Sequence, residues 1–260
     1  SLNNQLGFMV VGVGIGTELA LNGAAAHAFT HIIYKSLLFM SMGAVLHRTG
    51  TVLATELGGL YKSMPFTTVF CIIGGASISA FPLFSGFVSK SMILSAAAHE
   101  EYYFTWLVLL FASAGVFHHS GIKIPFFAFF AHDSGKRPKE APLNMLIAMG
   151  LASILCIGIG VWPSALYAIL PFDVDFRPYT DSHVLAQVQL LFFSALAFTV
   201  LIRTGLYPPE LRCTNLDTDW LYRRLGRRLL VRITSAAGAV QARFYGALNR
   251  RGQRFLLQLY

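Results

Sequence analysis

Apolar residues fall into long, nearly continuous runs along this chain, each close to the ~20 residues that a helix needs to cross a bilayer. The runs span Leu6 to Asn22, Ala24 to Leu46, Pro65 to Ala98, Tyr103 to Ile122, Leu146 to Ile169 and Val184 to Ile202. They are rich in Leu and punctuated by Gly, Ala and Ser, which suits packed membrane helices. Outer-membrane strands would instead alternate over about ten residues, so a β-barrel is excluded. The predicted fold is all-α: a polytopic membrane helix bundle of about six spans, one of them broken, followed by a basic amphipathic C-terminal helix. The broken span is the third. Pro65 to Ala98 would make about 50 Å of continuous helix at 1.5 Å per residue, against a hydrocarbon core of about 30 Å. Its middle reads Phe81-Pro82-Leu83-Phe84-Ser85-Gly86, and Pro82 with Gly86 places the interruption there. Unwound backbone at membrane depth survives only where it is buried in protein or lines a wet cavity, so the break points to a pathway.

Composition supports the same class. The chain is 55% hydrophobic and 12% charged, where soluble domains carry roughly 25% charged residues, and the mean hydropathy is +0.59. A soluble globular fold is excluded. The chain opens on Ser1 directly into an apolar stretch, without a basic leader region or a small-residue cleavage site, and is expected to be a fragment lacking its native N-terminus. Cys71, Cys156 and Cys213 are too far apart in sequence for redox or zinc spacing and are read as small hydrophobes.

The net charge of +8 is concentrated at one end. Residues 206–260 hold ten Arg against Glu210, Asp217 and Asp219, leaving +1 for the first 205. This divides the chain into a transmembrane helical domain, 1–205, and a basic cytoplasmic or interfacial tail, 206–260. No nucleic-acid-binding motif accompanies the tail, and juxtamembrane cations favour the cytoplasmic, anionic face. Leu221, Leu225 and Leu229 recur every four residues, with Arg223, Arg224, Arg227 and Arg228 on neighbouring faces and Trp220 and Tyr222 as headgroup-level anchors. That pattern predicts an interfacial amphipathic helix; beyond Ser235 the signal fades, and Ala236 to Tyr260 is read as either a second amphipathic helix or a poorly ordered segment. Loop charge alternates if Pro65–Ala98 is one crossing: 47–64 is basic, Glu100-Glu101 acidic, 123–142 basic, 171–183 acidic and the tail basic. A single broken crossing or a re-entrant pair fits, with the tail and the 47–64 loop on the cytoplasmic side.

Against this apolar background a few ionisable residues stand out. His27, His31 and Lys35 follow each other at four-residue steps on one helical face, over about 12 Å of axis. A central lysine costs about 2.5–3.5 kcal/mol on insertion scales, so the row needs a wet or protein-lined setting. A single membrane histidine is commonly a satisfied interhelical hydrogen bond. Three titratable groups in register suit a proton relay, because His and a desolvated Lys exchange protons in the same pH range. His27 and His31 at i, i+4 also raise a metal site, in a membrane electron-transfer or metal-binding module, but no Glu, Asp or Cys on that helix completes a ligand set. Lys90 lies just past the break, where a relay role competes with snorkelling to an interface. His118, His119 and Lys123 sit near the end of the fourth span, where an interfacial position is inexpensive, and form a secondary candidate.

Three stretches carry a family resemblance: Asn22–Thr51 (NGAAAHAFTHIIYKSLLFMSMGAVLHRTGT), Leu57–Pro65 (LGGLYKSMP) and Phe81–Leu94 (FPLFSGFVSKSMIL). In this order they resemble the antiporter-like membrane subunits shared by respiratory complex I (NADH:quinone oxidoreductase) and Mrp-type sodium/proton antiporters, with most likeness to the D-type component of the latter. Asn215–Arg224 (NLDTDWLYRR) is similar to the C-terminal signature of Mrp-like members. The resemblance implies that His27, His31 and Lys35 match the family's central relay helix and Lys90 the terminal lysine at its broken helix. It implies a proton-translocating subunit of a multisubunit cation/proton antiporter or respiratory-type complex in the cell inner (plasma) membrane. The partners implied are other membrane subunits, the missing N-terminal half of the same subunit, lipid, protons and, in some members, Na+. No nucleotide loop, flavin fingerprint, Ser-His-Asp order or zinc motif is present, so no cofactor, no resident metal and no catalytic centre of its own are expected. A purely structural membrane scaffold is the remaining alternative, should Lys35 and Lys90 face headgroups.

Overall fold

The computed structural model describes residues 2–207 and 217–257, with side chains up to Gly246. Two compact units result, Ser1–Glu210 and Leu211–Tyr260. The described part of the first is a bundle of helices, with no strand: α1 (Leu2–Ile15), α2 (Glu18–Thr49), α3 (Pro65–Ile78), α4 (Ser85–His99), α5 (Tyr103–Val116), α6 (Leu143–Val161), the single turn α7 (Ser164–Tyr167) and α8 (Asp181–Arg203). α5 runs on without a gap through wider π-type turns, making one helix over Tyr103–Phe130. That helix, α2, α6 and α8 are each long and apolar enough to cross a bilayer. The outside is apolar: Phe104, Phe111 and Phe39 are 81%, 82% and 77% exposed. The inside holds Gln5, Asn22, His27, Thr30, His31, Ser89, Lys90 and Gln187, all buried. Polar groups within and large apolar groups outside are what a hydrocarbon solvent selects.

Helix boundaries differ from the hydropathy runs in instructive ways. The runs separate the first two spans at Asn22–Ala24, but the helices part at Gly16, in the left-handed region (φ 79°), and Thr17, whose Oγ1 accepts from the Ala20 amide. Asn22 lies inside α2, its side chain donating to the Phe172 carbonyl and accepting from the Phe172 amide. The fourth span passes its expected end at Ile122 and continues to Phe130, so the basic loop shortens to residues 131–142. The wide turns flank Pro125, which has no N–H to give to a regular α-helical ladder. α6 stops at Val161 ahead of Trp162-Pro163, short of the expected Ile169.

The third span is one crossing in two pieces. At one end of the bundle the Glu140 carboxylate accepts from the Phe66 and Thr67 amides and from Thr67 Oγ1, at 2.8, 3.5 and 2.6 Å, capping α3 from another loop. Lys62 pairs with Asp133 at 2.8 Å at that same end. At the opposite end α4 reaches the start of α8, where Ser95 meets His183. Between the pieces residues 79–84 are unwound, with Ala80 and Leu83 left-handed at φ 57° and 73°. Pro82 sits within the unwound stretch, as expected. Gly86 does not: it lies in the first turn of α4, and its role is close approach, because a Cβ there would collide with the Ser77 carbonyl.

Cys71 and Cys156 are fully buried in the apolar cluster around Tyr34, Leu37 and Met149. In the second unit, residues Leu221–Gly226 form wide turns that lead into α9 (Arg227–Leu257). This helix runs through Ser235 as one piece, rather than giving way there to a second helix. Leu229, Ile233, Val240 and Phe244 follow one face of it, every one exposed. Asp219 pairs with Arg223 at 2.8 Å. Glu210, Cys213 and the Asn215-Leu216 start of the tail motif lie outside the described residues.

Candidate functional site

α2 is the axis of the bundle, packed against α1, α3, α4 and α6, so its inward face is dry of lipid along most of its length. His27 is fully buried there and uses both ring nitrogens: Nδ1 lies 2.9 Å from Ser89 Oγ of α4, and Nε2 lies 3.1 Å from Gln5 Oε1 of α1. The Tyr34 hydroxyl donates to the same Gln5 oxygen at 2.9 Å. Gln5 Oε1 only accepts, so His27 Nε2 carries a hydrogen. Nδ1 then accepts from the Ser89 hydroxyl when the ring is neutral and donates to it when the ring is charged. Ser89 also lies 3.0 Å from Thr30 Oγ1 and, when His27 donates, turns its own hydrogen toward the Ser85 carbonyl at 3.4 Å. Both charge states are hydrogen-bonded, and the change between them needs only a hydroxyl rotation.

His31 stacks one turn further along, its ring 6.3 Å from that of His27 and 5.4 Å from Tyr34. Its Nε2 is buried without a protein hydrogen-bond partner. Lys35 follows on the same face and is half-buried. The row His27, His31 and Lys35 therefore faces the interior, with its burial loosening toward Lys35.

Lys90 is 1% exposed. Its Nζ donates to the Ile78 carbonyl at 2.8 Å and lies 5.1 Å over the ring of Phe8. Phe8 in turn contacts His27, ring to ring at 5.9 Å, and so touches both groups. The break creates this seat. The amides of residues 79–81 still reach the Gly75, Ala76 and Ser77 carbonyls, and the next two carbonyls take side chains instead: Ile78, the last residue of α3, from Lys90, and Ser79 from Gln187 Nε2 at 3.0 Å. A charge-assisted bond contributes about 1.5–3 kcal/mol and a desolvated cation–π contact about 2 kcal/mol, which offsets part of the burial cost. The snorkelling reading of Lys90 does not fit this geometry.

The hydropathy pattern puts His118, His119 and Lys123 near the end of a span, and they lie instead within the Tyr103–Phe130 helix, in its wide-turn part. His118 packs on Phe198 and Tyr207, at 5.1 and 5.9 Å. Lys123 Nζ stands 5.9 and 5.5 Å over the rings of Phe127 and Tyr207. His118 and Lys123 thus share an aromatic cluster with Phe127, Phe198 and Tyr207, while His119 Nδ1 lies 3.4 Å from Ser120 Oγ. Nor does the geometry assemble a metal site from His27 and His31: the ring nitrogens of His27 are taken by Ser89 and Gln5, and the described residues hold no group of three His, Cys, Asp or Glu suited to a metal.

Sequence reading missed Gln5, Thr30, Tyr34, Ser89 and Gln187, which supply the wiring. One signal was available: Ser89 precedes Lys90, and Gln187 interrupts the apolar run from Val184 to Ile202.

These features define a multi-pass helical membrane module with a titratable, hydrogen-bonded interior beside an interrupted helix. Residues 1–117 match the family model described as NADH:quinone oxidoreductase/Mrp antiporter, TM. The chain is 38% identical over 180 residues to the D-type component of the Na(+)/H(+) antiporter of Alkalihalophilus pseudofirmus, covering 67% of this chain and 36% of that one. It is 29% identical over 208 residues to the NADH-ubiquinone oxidoreductase chain 5 of Phytophthora infestans, covering 74% and 31%. Among solved structures, the Mrp complex from Dietzia sp. DQ12-45-1b superposes with a TM-score of 0.65 at 23% identity, over 89% of this chain and 27% of that one, which is a likeness of fold. The chain is thus a homologue of the antiporter-like membrane subunits common to Mrp antiporters and NADH:quinone oxidoreductases, as the motifs at 22–51, 57–65 and 81–94 implied. It spans about a third of the length of these curated relatives.

Proposed function

We propose that this chain is a proton-translocating part of a multisubunit cation/proton antiporter or respiratory-type complex, and that His27, His31, Lys35 and Lys90 relay the proton. The observation that carries this reading is the His27–Ser89 bond between α2 and α4. It joins the titratable row of one helix to the residue directly before Lys90 on the other, through a hydroxyl that serves either charge state of the ring. Phe8, in contact with both His27 and Lys90, keeps the space between them free of lipid. A proton passes along such a chain by changes of charge state rather than by movement of helices.

The cargo follows from the donor set. Protons need only groups that gain and lose them. The loops at 47–64 and 131–142 and the end of α8 at Arg203 carry Arg48, Lys62, Lys136, Arg137 and Lys139, so this end of the bundle faces the cytoplasm by the positive-inside rule. Residues 206–260 serve as a basic cytoplasmic or interfacial tail, and the membrane is the cell inner membrane. The partners are other membrane subunits of the assembly.

The test uses vesicles containing the intact assembly. His31→Ala and Lys35→Ala each remove one titratable group from the row and reduce proton flux by about tenfold or more, since each 1.4 kcal/mol added to a barrier is a factor of ten. Insertion and assembly stay normal. Flux at the wild-type rate in both variants removes the row from the mechanism.

A further inference from the structure

Beyond Lys90 a cavity of about 270 Å³ opens between α4, α5 and α8. Lys90, Leu94 and Ala98 line it from α4, and Trp106 and Leu110 from α5. From α8 come His183 and Gln187, with the exposed Ser182 and Ala186 at its rim. Burial falls along α4 in the same direction: Lys90 is 1% exposed, Ser95 is 7%, and His99 stands in the open. The cavity therefore runs from a fully buried amine to the end of the bundle where α4 finishes and α8 begins.

His183 is the titratable side chain on its far wall. Its Nε2 lies 3.2 Å from Ser95 Oγ, its ring packs 5.8 Å from Phe176, and its Nδ1 is buried without a protein hydrogen-bond partner. The position is fixed from two sides, since the His183 amide also donates to the Thr180 side chain that caps α8. Gln187, one turn further along α8, holds the Ser79 carbonyl beside the Ile78 carbonyl that Lys90 occupies. One helix thus both braces the unwound backbone under Lys90 and presents an imidazole across the cavity from it. Buried water is held where polar groups converge in enough space, and Lys90, Ser91, Ser95, Ser182, His183 and Gln187 supply such groups here.

We propose that His183 is the exit group of the relay, exchanging protons with Lys90 through the cavity and passing them to solvent at the far end of the bundle. This rests on the relay reading of Lys90 given above. In the step, Lys90 gives up a proton through the hydrogen-bonded cavity to the neutral imidazole of His183. The imidazole then releases one to water at the rim, so proton and charge leave together and no other bond changes. Ser95, itself on the cavity wall, orients the ring by holding Nε2, and its hydroxyl links that nitrogen to the cavity.

The experiment compares His183→Gln, His183→Ala and Lys90→Ala in vesicles containing the intact assembly, with and without added imidazole. His183→Gln keeps a polar group for Ser95 but cannot shuttle a proton, so flux falls by at least about tenfold, within the range that positioned acid–base groups contribute. His183→Ala falls equally and is restored in part by imidazole, which the enlarged cavity accommodates. A residue that only held α8 in place would tolerate Gln and would not respond to imidazole. Wild-type flux in His183→Gln, or failure of imidazole to raise flux in an assembled His183→Ala, overturns the exit role while leaving Lys90 standing. Wild-type flux in Lys90→Ala overturns the relay reading itself, and the exit role with it. Should His183→Ala fail to assemble, the Gln variant alone decides.

Discussion

Lys90 and Lys123 both lie on helices of the bundle, yet the two regions accommodate a cation by different means. Around Lys90 the helix is broken, and the amine donates to the freed Ile78 carbonyl within a network that reaches Phe8, and through it His27. Around Lys123 the helix is widened but unbroken, and the amine stands over the faces of Phe127 and Tyr207, while His118 packs on Tyr207 and Phe198. A ring face attracts a cation but accepts no proton from it and hands it to nothing. A carbonyl seat beside a cavity holds the amine in one place, with hydroxyls and imidazoles within reach. The same residue type is therefore a structural cation in one region and a candidate relay group in the other, and what separates them is the backbone.

The largest effect that would break this contrast comes from the backbone itself. Gly86→Ala drives a methyl into the Ser77 carbonyl, and overpacking of this kind costs about 1–3 kcal/mol. The two pieces of the crossing separate, the Lys90 seat is lost, and both assembly and flux drop. Gly115→Ala in α5 meets nothing within 4 Å and leaves both unchanged. Thermal unfolding of the detergent-solubilised assembly, read beside flux, distinguishes the pair. A smaller effect is expected at the aromatic site: Lys123→Arg keeps the charge, a guanidinium stacks on ring faces at least as well as an ammonium, and flux stays near wild type. A marked loss of flux in that variant would move Lys123 into the relay.

The smallest effect lies outside the membrane. Asp133 accepts from Arg137 at 2.6 and 2.9 Å and from Lys62 at 2.8 Å, tying the 131–142 loop to the 51–64 loop, and these partners hold its carboxyl well below the usual carboxylate range. A carboxylate with a lowered folded-state pKa stabilises above its unfolded value, near 3.9, and loses that contribution as pH falls toward the folded one. Asp133→Asn accordingly shows a slight loss of thermal stability at pH 7, and the gap to wild type narrows once the pH drops below about 4. Because the pair is exposed, salt also narrows the gap.

The charged and titratable residues were legible in the sequence because hydrocarbon makes each of them expensive, so His27, His31, Lys35 and Lys90 stand out without any knowledge of packing. The broken crossing was legible for a related reason: thirty-four apolar residues do not fit a bilayer as one straight helix. Their partners were not. Gln5, Thr30, Tyr34 and Ser89 are ordinary residues for a membrane helix, and what makes them a network is that α1, α2 and α4 bring them within 3.5 Å of one another. Boundaries were misplaced where an apolar window outvoted a local signal. The Gly16-Thr17 stop-and-cap pair is two residues in a long hydrophobic run, and Pro125 reads as a terminator unless the turns around it are known to be wide.

The central claim is that the amine of Lys90 changes charge during turnover, and Lys90→Arg tests it most directly, since arginine keeps the cation and the donors but stays protonated in proteins. Proton flux in vesicles containing the complete assembly is the measurement. The account predicts that Lys90→Arg assembles normally and conducts as poorly as Lys90→Ala, whereas flux near the wild-type rate with arginine at this position would contradict it and leave Lys90 as a fixed structural charge.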